Sequence, residues 1–273
     1  MLRGEKYVRC FPLVNGFSVF SSLSGRGISG SVRPVLPITL IRVGLNEIAP
    51  GIYGIGFWYV NAFVVAGQGV TLIDAGIPKR APKLRAGIAE AGRGAGLTDV
   101  LVTHHHYDHI GSLDAIATEA TTIWAHPIDA AVIRGVQRPP TPASRGVVDR
   151  AGVAIVGAFS PKNVTARVDR ELSDGEEIPI GDGFIAYHTP GHTAGHLSFL
   201  YPSKRVLFVG DAAANQLGRL GPPFGLYSED HEAVKRSIAK LAALDFDIAC
   251  FGHGRVLTGD ACVRFRKLAE KLA

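Results

Sequence analysis

Apolar and polar positions follow regular periods from about residue 47 to the C-terminus. Two apolar runs, 59–66 and 70–74, are joined by a Gly-Gln-Gly turn, and this pattern predicts a β-hairpin. Leu84, Ile88 and Ala91 then follow at the spacing of one helix face. Further strands are predicted at 99–103, 122–125, 183–188, 197–201, 205–209 and 247–251, and further helices at 127–134, 229–244 and 262–272.

The order of these elements mixes hairpins with helical crossovers. It lacks the regular alternation of a dinucleotide-binding fold, and no GxGxxG sequence follows a predicted strand. Ser228 is predicted to cap the helix 229–244. Residues 135–165 contain four prolines and are interpreted as a long loop or lid. The segment 215–227 is interpreted as a second loop.

The first 46 residues differ from the rest in being rich in Ser, Gly and Arg and nearly free of acidic residues. We therefore expect an N-terminal tail over 1–46 and one domain over 47–273. A flexible tail, or a start site placed too far upstream, is the favoured interpretation. An Arg- and Ser-rich presequence is an alternative. A secretory signal fits least, because Pro12, Asn15 and Gly16 interrupt its apolar run.

Composition and charge exclude several classes of protein. The 273-residue chain is 47% hydrophobic and 19% charged, which suits one large domain or two small domains and not a disordered chain. No run of about 18 apolar residues occurs, so no membrane partner is expected. The net charge of +5 lies within 1–46, and the remainder carries 23 basic and 23 acidic residues, which argues against a nucleic-acid partner. Three scattered cysteines (Cys10, Cys250 and Cys262) favour reduced thiols and a cytoplasmic location.

The densest candidate chemistry lies between Thr103 and His109, in a Thr-His-His-His-Tyr-Asp-His segment that follows a predicted strand. His104 and His106, two residues apart, can direct their rings at one ion from one side of an extended turn. Asp108 and His109 can reach a second ion beyond the bend. Imidazole nitrogens and a carboxylate without a thiolate suit Zn²⁺, with Fe or Mn as alternatives.

Three more candidate ligands each follow a predicted strand and lie beside small residues. They are His192 in Thr-Pro-Gly-His, Asp211 after Gly210, and His253 between two glycines. Small neighbours allow the backbone and a metal ion to approach closely. A lone histidine after a strand is more often structural than a ligand, but together with the histidine cluster these residues predict one metal centre.

The other histidines have less specific interpretations. His105 lies between two candidate ligands and is predicted to point away from the metal. Two interpretations of His196 are equally favoured. It is either a residue that supports the ligands or a histidine that merely begins a strand. His126, His188 and His231 are predicted to be structural or exposed.

The candidate residues follow one order along the chain: Asp74 in Leu-Ile-Asp-Ala-Gly, the His104–His109 cluster, His192, Asp211 and His253. This set resembles the five hallmark motifs of the metallo-β-lactamase superfamily, from about residue 47 to the C-terminus. The resemblance implies an α/β fold of the αβ/βα four-layer sandwich type, in which two mixed β-sheets are flanked by helices. It also implies that the site lies at one edge, where strand-end loops meet.

The resemblance further implies two Zn²⁺ ions per chain and a role for each motif residue. The implied ligands are His104, His106 and His192 for the first ion, Asp108, His109 and His253 for the second ion, and Asp211 as a bridge. Asp74 and Thr103 would orient the histidine cluster through hydrogen bonds.

Such a centre predicts a metal-dependent hydrolase in which a hydroxide held by two zinc ions attacks an ester, lactone or thioester of a small molecule. Asp108 is the candidate catalytic residue that moves the proton. Phe224 and Tyr227 are candidate residues of the substrate pocket. A homodimer is the default expectation for assembly.

The sequence departs from better-known branches of the superfamily at several positions. These departures rank the alternative functions. Asp211 is a carboxylate that true β-lactamases of the superfamily generally lack, so β-lactam hydrolysis is a weaker alternative. Ala214 stands where acyl-homoserine-lactone hydrolases carry a tyrosine. Only 20 residues follow His253, so the helical C-terminal region of glyoxalase II-type thioesterases is short or absent. A mononuclear iron enzyme that oxidises persulfides is the alternative from another class.

Overall fold

The computed structural model describes residues 44–140 and 164–273. The strands in these residues are β1 (Asn46–Ala49), β2 (Ile52–Phe57), β3 (Val60–Ala66), β4 (Val70–Ile73), β5 (Leu97–Leu101), β6 (Thr122–Ala125), β7 (Arg170–Glu171), β8 (Glu177–Ile178), β9 (Phe184–His188), β10 (Leu197–Tyr201), β11 (Val206–Gly210), β12 (Ala214–Gln216), β13 (Arg219–Gly221) and β14 (Ile248–Phe251). The α-helices are α1 (Ala81–Gly92), α2 (Tyr107–Ile110), α3 (Leu113–Ile116), α4 (Pro127–Ile133), α5 (His231–Ala242) and α6 (Ala261–Leu272).

Two mixed sheets form the centre of the fold. The seven-stranded sheet runs in the order β1 to β7, antiparallel from β1 to β4 and parallel from β4 to β7. The five-stranded sheet has the order β14-β11-β10-β9-β8, and only its β11–β14 pair is parallel. Parallel neighbours end at the same edge of their sheet, which determines where strand-end loops meet.

Three apolar clusters separate four layers. The first joins one face of the seven-stranded sheet to α1, α3 and α4, the second joins the facing sides of the two sheets, and the third joins the five-stranded sheet to α5 and α6. Strand β3 shows the alternation that this requires, since Val64 belongs to the first cluster whereas Phe63 and Val65 belong to the second. The layer order of helices, sheet, sheet and helices confirms the predicted αβ/βα sandwich.

The N-terminal part of the first sheet extends beyond the predicted hairpin. The expected pairing of 59–66 with 70–74 is present as β3 and β4. Strands β1 and β2 add to it, although the sequence pattern does not predict them. Gly54 and Gly56 interrupt the apolar alternation of β2, so its pattern is weak although Ile52, Ile55 and Phe57 are buried.

The start of helix α5 differs from the expectation. The helix begins at His231, and its cap is Asp230 rather than Ser228. The Asp230 carboxylate accepts hydrogen bonds from the backbone N–H groups of Glu232 and Ala233, both at 2.9 Å. Aspartate is as good a cap as serine, so the sequence contains two candidates two residues apart.

The two expected loops have different outcomes. The expected loop 215–227 overlaps the short hairpin of β12 and β13, which begins at Ala214 and ends at Gly221. Residues 141–163 of the expected lid lie outside the described residues, as do residues 1–43 of the expected tail, so both interpretations stay predictions. Within the described part of the chain, no helix has the length and apolar character needed to cross a membrane.

Candidate metal centre

The predicted ligands and Asp74 lie on segments that follow strands at one edge of the sandwich. Asp74 follows β4, the His104–His109 segment follows β5, and Asp211 and His253 follow β11 and β14. Each of these strand pairs is parallel, so both members of a pair end at the same edge. His192 lies in the loop that connects β9 to β10. The fold therefore brings residues that are far apart in the chain into one site.

The first group of donor atoms consists of His104, His106 and His192. Nδ1 of His106 lies 3.1 Å from Nε2 of His104 and 3.0 Å from Nε2 of His192. The three ring nitrogens lie within 4.8 Å of one another. One cation could contact all three nitrogens at the distances usual for a zinc site.

The second group consists of Asp108, His109 and His253, whose donor atoms also lie within 4.8 Å of one another. Nε2 of His253 lies 3.5 Å from Nε2 of His109 and 3.5 Å from a carboxylate oxygen of Asp108. Asp108 and His109 come from the first turn of α2, whereas His253 comes from the other sheet.

Asp211 lies between the two groups. Its Oδ2 atom is 3.4 Å from Nε2 of His192 and 3.1 Å from Nε2 of His253. Its Oδ1 atom is buried and has no hydrogen-bond partner among the described residues. A buried carboxylate oxygen without a donor is costly, and a cation on either side would satisfy it. The donor set thus fits two neighbouring cations.

Asp74 and Thr103 lie behind these ligands, where orienting residues are expected. The Asp74 carboxylate accepts hydrogen bonds from the backbone N–H and the hydroxyl of Thr103, both at 2.8 Å. The same carboxylate lies 2.8 Å from Nδ1 of His109. Asp74 has a φ of 60°, an uncommon conformation that aspartate tolerates better than most residues.

The electrostatics of the first group favour neutral rings. Burial lowers the pKa of His104 and His106 well below the usual histidine value, and the neighbouring imidazoles lower it further. Burial also lowers the pKa of His192, to about 3. Neutral imidazole is the form that binds a metal ion, so no proton would have to leave these rings at neutral pH.

The second group lies closer to carboxylates. Burial alone would lower the pKa of His109, but the carboxylates of Asp211 and Asp74 raise it to about 10. Burial alone would raise the pKa of Asp211, but the rings of His253 and His109 hold it well below its usual range. Without a cation, the negative charge of Asp211 is therefore balanced by a proton on a ring of the second group.

Other histidines support the centre or lie away from it. Nε2 of His196 accepts a hydrogen bond from the backbone N–H of Asp211 at 2.8 Å, so His196 supports a candidate ligand. His126 caps α4, and its ring stacks on that of His188 at a centroid distance of 4.2 Å. These contacts give His126 and His188 a structural role, in agreement with the expectation.

A cavity of about 1050 Å³ opens onto the two donor groups. Its wall includes Asp108 and both predicted pocket residues, Phe224 and Tyr227. Tyr59 and Tyr107 also line it, and their hydroxyl groups lie 3.3 Å apart. No sequence signal indicates this tyrosine pair, because Tyr59 comes from the β2–β3 turn and Tyr107 from α2.

Asp129 is a second group that the sequence interpretation missed. This carboxylate on α4 is only 1% exposed and lies beside His105, which points away from the donor groups as predicted. Burial alone would raise the pKa of Asp129, but contacts from His105 and Thr193 hold it below its usual range. An acidic residue in a first helical turn is common, so its position in the sequence indicated nothing special.

A family model described as the metallo-beta-lactamase superfamily matches residues 55–253. The chain therefore belongs to the metallo-β-lactamase superfamily. The prediction that it is a metallo-hydrolase of this superfamily is confirmed, since several relatives are named as hydrolases.

Two curated relatives illustrate the range of the family. A probable metallo-hydrolase, YflN of Bacillus subtilis (strain 168), is 29% identical over 252 residues, which cover 83% of this chain and 92% of that protein. A hydroxyacylglutathione hydrolase of Fuscovulum blasticum is 31% identical over 187 residues, which cover 67% of this chain but only 56% of that enzyme. The chain thus spans little more than half of the second relative.

Solved structures share the fold at lower identity. A metallo-beta-lactamase family protein from Thermus thermophilus superposes with a TM-score of 0.59 at 23% identity, covering 83% of this chain and 79% of that chain. A metallo-beta-lactamase from Cronobacter sakazakii gives a TM-score of 0.60 at 23% identity, covering 83% and 91%. These similarities support the fold and carry no information about the substrate.

Proposed function

We propose that this chain hydrolyses an ester, lactone or thioester bond of a small molecule at a centre of two zinc ions. His104, His106 and His192 would hold one ion, Asp108, His109 and His253 the other, and Asp211 would contact both. The observation that carries the proposal is the buried Oδ1 atom of Asp211, which lies 3.7 Å from Nε2 of His109 but accepts no hydrogen bond from the described residues. It lies between two groups of three donors. When bound, two such cations lower the pKa of water and polarise a carbonyl oxygen.

Asp108 is the residue that would move the proton. Its carboxylate lines the cavity, and its side chain is 12% exposed, more than that of Asp211 at 6%. It can therefore reach both the metal ions and the leaving group of a substrate in the cavity. Asp211 faces the donor groups, so it is suited to binding cations and less suited to proton transfer.

The cavity wall supports a substrate with an apolar part. Val132, Val164, Leu217 and Phe224 contribute apolar surface to it, and the candidate metal centre contributes polar groups, among them Asp108, Asp211 and His253. This is the usual design of a small-molecule site, with apolar walls and few convergent polar groups. A relative named hydroxyacylglutathione hydrolase is consistent with an acyl compound as substrate. The proposal includes a cytoplasmic setting, in which the buried thiols of Cys250 and Cys262 stay reduced.

Metal analysis combined with a substrate panel tests this proposal. The purified protein should contain about two zinc ions per chain and hydrolyse at least one member of a panel of esters, lactones, thioesters and β-lactams. Asp211→Ala should lower turnover by more than about 100-fold while far-UV circular dichroism is unchanged. Asp114→Ala, which changes an exposed carboxylate on α3, is the matched control and should keep full turnover.

Two results would contradict the proposal. Full hydrolytic activity of the metal-free protein would show that the reaction does not require a metal ion. One iron ion per chain together with oxygen-dependent oxidation of a persulfide would replace the hydrolase by the oxidoreductase alternative.

A further inference from the structure

Asp129 is a buried carboxylate that the proposed hydrolysis does not use. It belongs to α4, it is 1% exposed, and it is part of neither donor group. A buried carboxylate requires compensating contacts, so the groups that it binds indicate its role.

The hydrogen bonds of its carboxylate go to two loops outside its own helix. From the loop after β5, the backbone N–H of His105 donates to Oδ2 at 2.9 Å, and Nδ1 of His105 lies 3.1 Å from the same atom. From the loop between β9 and β10, the Thr193 hydroxyl donates to Oδ2 at 2.8 Å and the Gly195 N–H donates to Oδ1 at 2.9 Å. Asp129 thus connects two segments that are distant in the sequence.

These two loops carry the three donors of the first group. His105 lies between His104 and His106, and Thr193 directly follows His192. A carboxylate that fixes both loops also fixes the distance between the rings that they carry. The corresponding contact behind the second group is the Asp74 carboxylate at His109.

Local structure supports a specific contact rather than an ordinary helix-terminal carboxylate. The N-cap of α4 is His126, whose Nδ1 accepts the backbone N–H of Ile128. A Cβ atom added to Gly195 would lie 2.4 Å from Oδ1 of Asp129, so this loop needs glycine to approach the carboxylate. Both Asp129 and the loop at Gly195 are therefore adapted to this close contact.

We propose that Asp129 is a positioning residue that sets the geometry of the first metal site by joining its two ligand loops. The inference rests on the proposed function, because it assumes that His104, His106 and His192 bind a cation. Removing the carboxylate should loosen the first site and leave the second, whose ligands are Asp108, His109 and His253.

The test is zinc binding to the full-length Asp129→Asn variant, measured by competition with a chromophoric chelator. Asparagine keeps the shape but replaces one acceptor oxygen by an amide donor that faces N–H groups. The affinity of one of the two sites should fall by about 10–100-fold, as for other residues that orient metal ligands, while the other site keeps the affinity of the parent. Excess zinc should restore turnover, which a general loss of structure would not permit.

Asp169→Asn is the matched control. Asp169 also accepts a backbone N–H, that of Ile123, but the Asp169 carboxylate has no described contact with either ligand loop. This variant should bind zinc like the parent. Thr193→Val provides a milder change, because it removes a single hydrogen bond from Asp129 and should weaken the same site to a smaller extent.

The outcomes separate this inference from the proposed function. If the parent binds two zinc ions tightly and both Asp129→Asn and Thr193→Val bind them equally well, the positioning role is wrong and the proposed function stands. If Asp129→Asn does not fold, Thr193→Val alone decides between these two results. A parent without tight zinc sites would overturn the proposed function and this inference with it.

Discussion

At the scale of single residues, hydrogen bonds decide which nitrogen of His104 and of His253 faces the centre. Thr103 donates its hydroxyl hydrogen to Asp74, so its oxygen must accept from Nδ1 of His104, 3.0 Å away, which leaves Nε2 free to bind. Nδ1 of His253 lies 2.9 Å from the carbonyl oxygen of Tyr59 and must donate to it. Such partners fix both the tautomer and the orientation of a metal-binding histidine.

The tyrosine pair leads to a prediction about substrate binding. Burial, the contact with Tyr107 and the nearby Asp108 all raise the pKa of Tyr59, so its phenol stays protonated and can donate a hydrogen bond. Tyr59→Phe and Tyr107→Phe should each lower kcat/KM by roughly tenfold, the usual effect of losing one hydrogen bond, without changing zinc content. Steady-state kinetics on the substrate identified by the panel measures this effect. Tyr53→Phe is the control, and equal kcat/KM in all variants would contradict the prediction.

The predictability of the site also differs between residues. The seven candidate ligands could be found from the sequence because each lies in a short motif after a strand. Tyr59 and Asp129 could not, because neither has a motif of its own. Their contacts link distant parts of the chain, 48 residues apart for Tyr59 with Tyr107 and 64 residues apart for Asp129 with Thr193. Only the three-dimensional arrangement shows them to be neighbours of the centre.

At the scale of elements, the C-terminal end of β14 must approach the ligands without a side chain. A Cβ atom added to Gly252 would lie 2.1 Å from Oδ1 of Asp211 and 2.6 Å from Cε1 of His109. The backbone of residues 251–254 also accepts three hydrogen bonds from Asn61, one of them at the carbonyl of Gly254. The backbone N–H of Asn61 donates to the carbonyl of Gly252 at 2.8 Å, and its side-chain amide donates to the carbonyl of Phe251 at 3.0 Å. The end of this strand therefore cannot move away from the site at low cost.

Gly252→Ala should for this reason displace Asp211 or His109. We expect a loss of at least one zinc ion per chain and a fall in turnover of more than about 100-fold, with a lower melting temperature from overpacking. Metal analysis and thermal denaturation measure both effects. Gly221→Ala is the control, because a Cβ atom there meets nothing within 4 Å. Normal zinc content in Gly252→Ala would show that the strand end tolerates a side chain.

Elements with strong periodicity can be predicted from the sequence. Weak or ambiguous signals account for the differences between the predicted and the observed elements. The apolar runs of β3, β10 and β11 face a core on both sides and stand out in the sequence. The glycines of β2 and the four-residue length of β1 leave too little pattern to recognise. The hairpin of β12 and β13 resembles a loop in the sequence because each strand has only three residues.

At the scale of the whole molecule, the centre lies across both sheets. Asp74 and the His104–His109 segment belong to the seven-stranded sheet, whereas His192, Asp211 and His253 belong to the five-stranded sheet. The residues between the sheets, such as Phe63 and Phe208, therefore hold the two halves of the site in register. Changes in protonation of the buried histidines should in turn alter the stability of the entire sandwich.

The metal-free protein should be most stable near pH 6.5. The pKa of His192 is about 3 and that of His196 about 4 in the folded chain, so below pH 6.5 the unfolded chain binds protons that the folded chain excludes, and stability falls toward pH 4. His109, with a pKa of about 10, has the opposite effect on stability. Its stabilising contribution is complete below pH 6.5 and is lost as the pH rises through 10. Each ring can change the free energy of unfolding by about 1.4 kcal/mol per pH unit within its range. Thermal denaturation of chelator-treated protein from pH 4 to pH 10 measures the curve, and a melting temperature that rises steadily above pH 7 would contradict it. Zinc-saturated protein is the control, and its alkaline decline should be smaller, because a cation at the second group takes the place of the proton on His109.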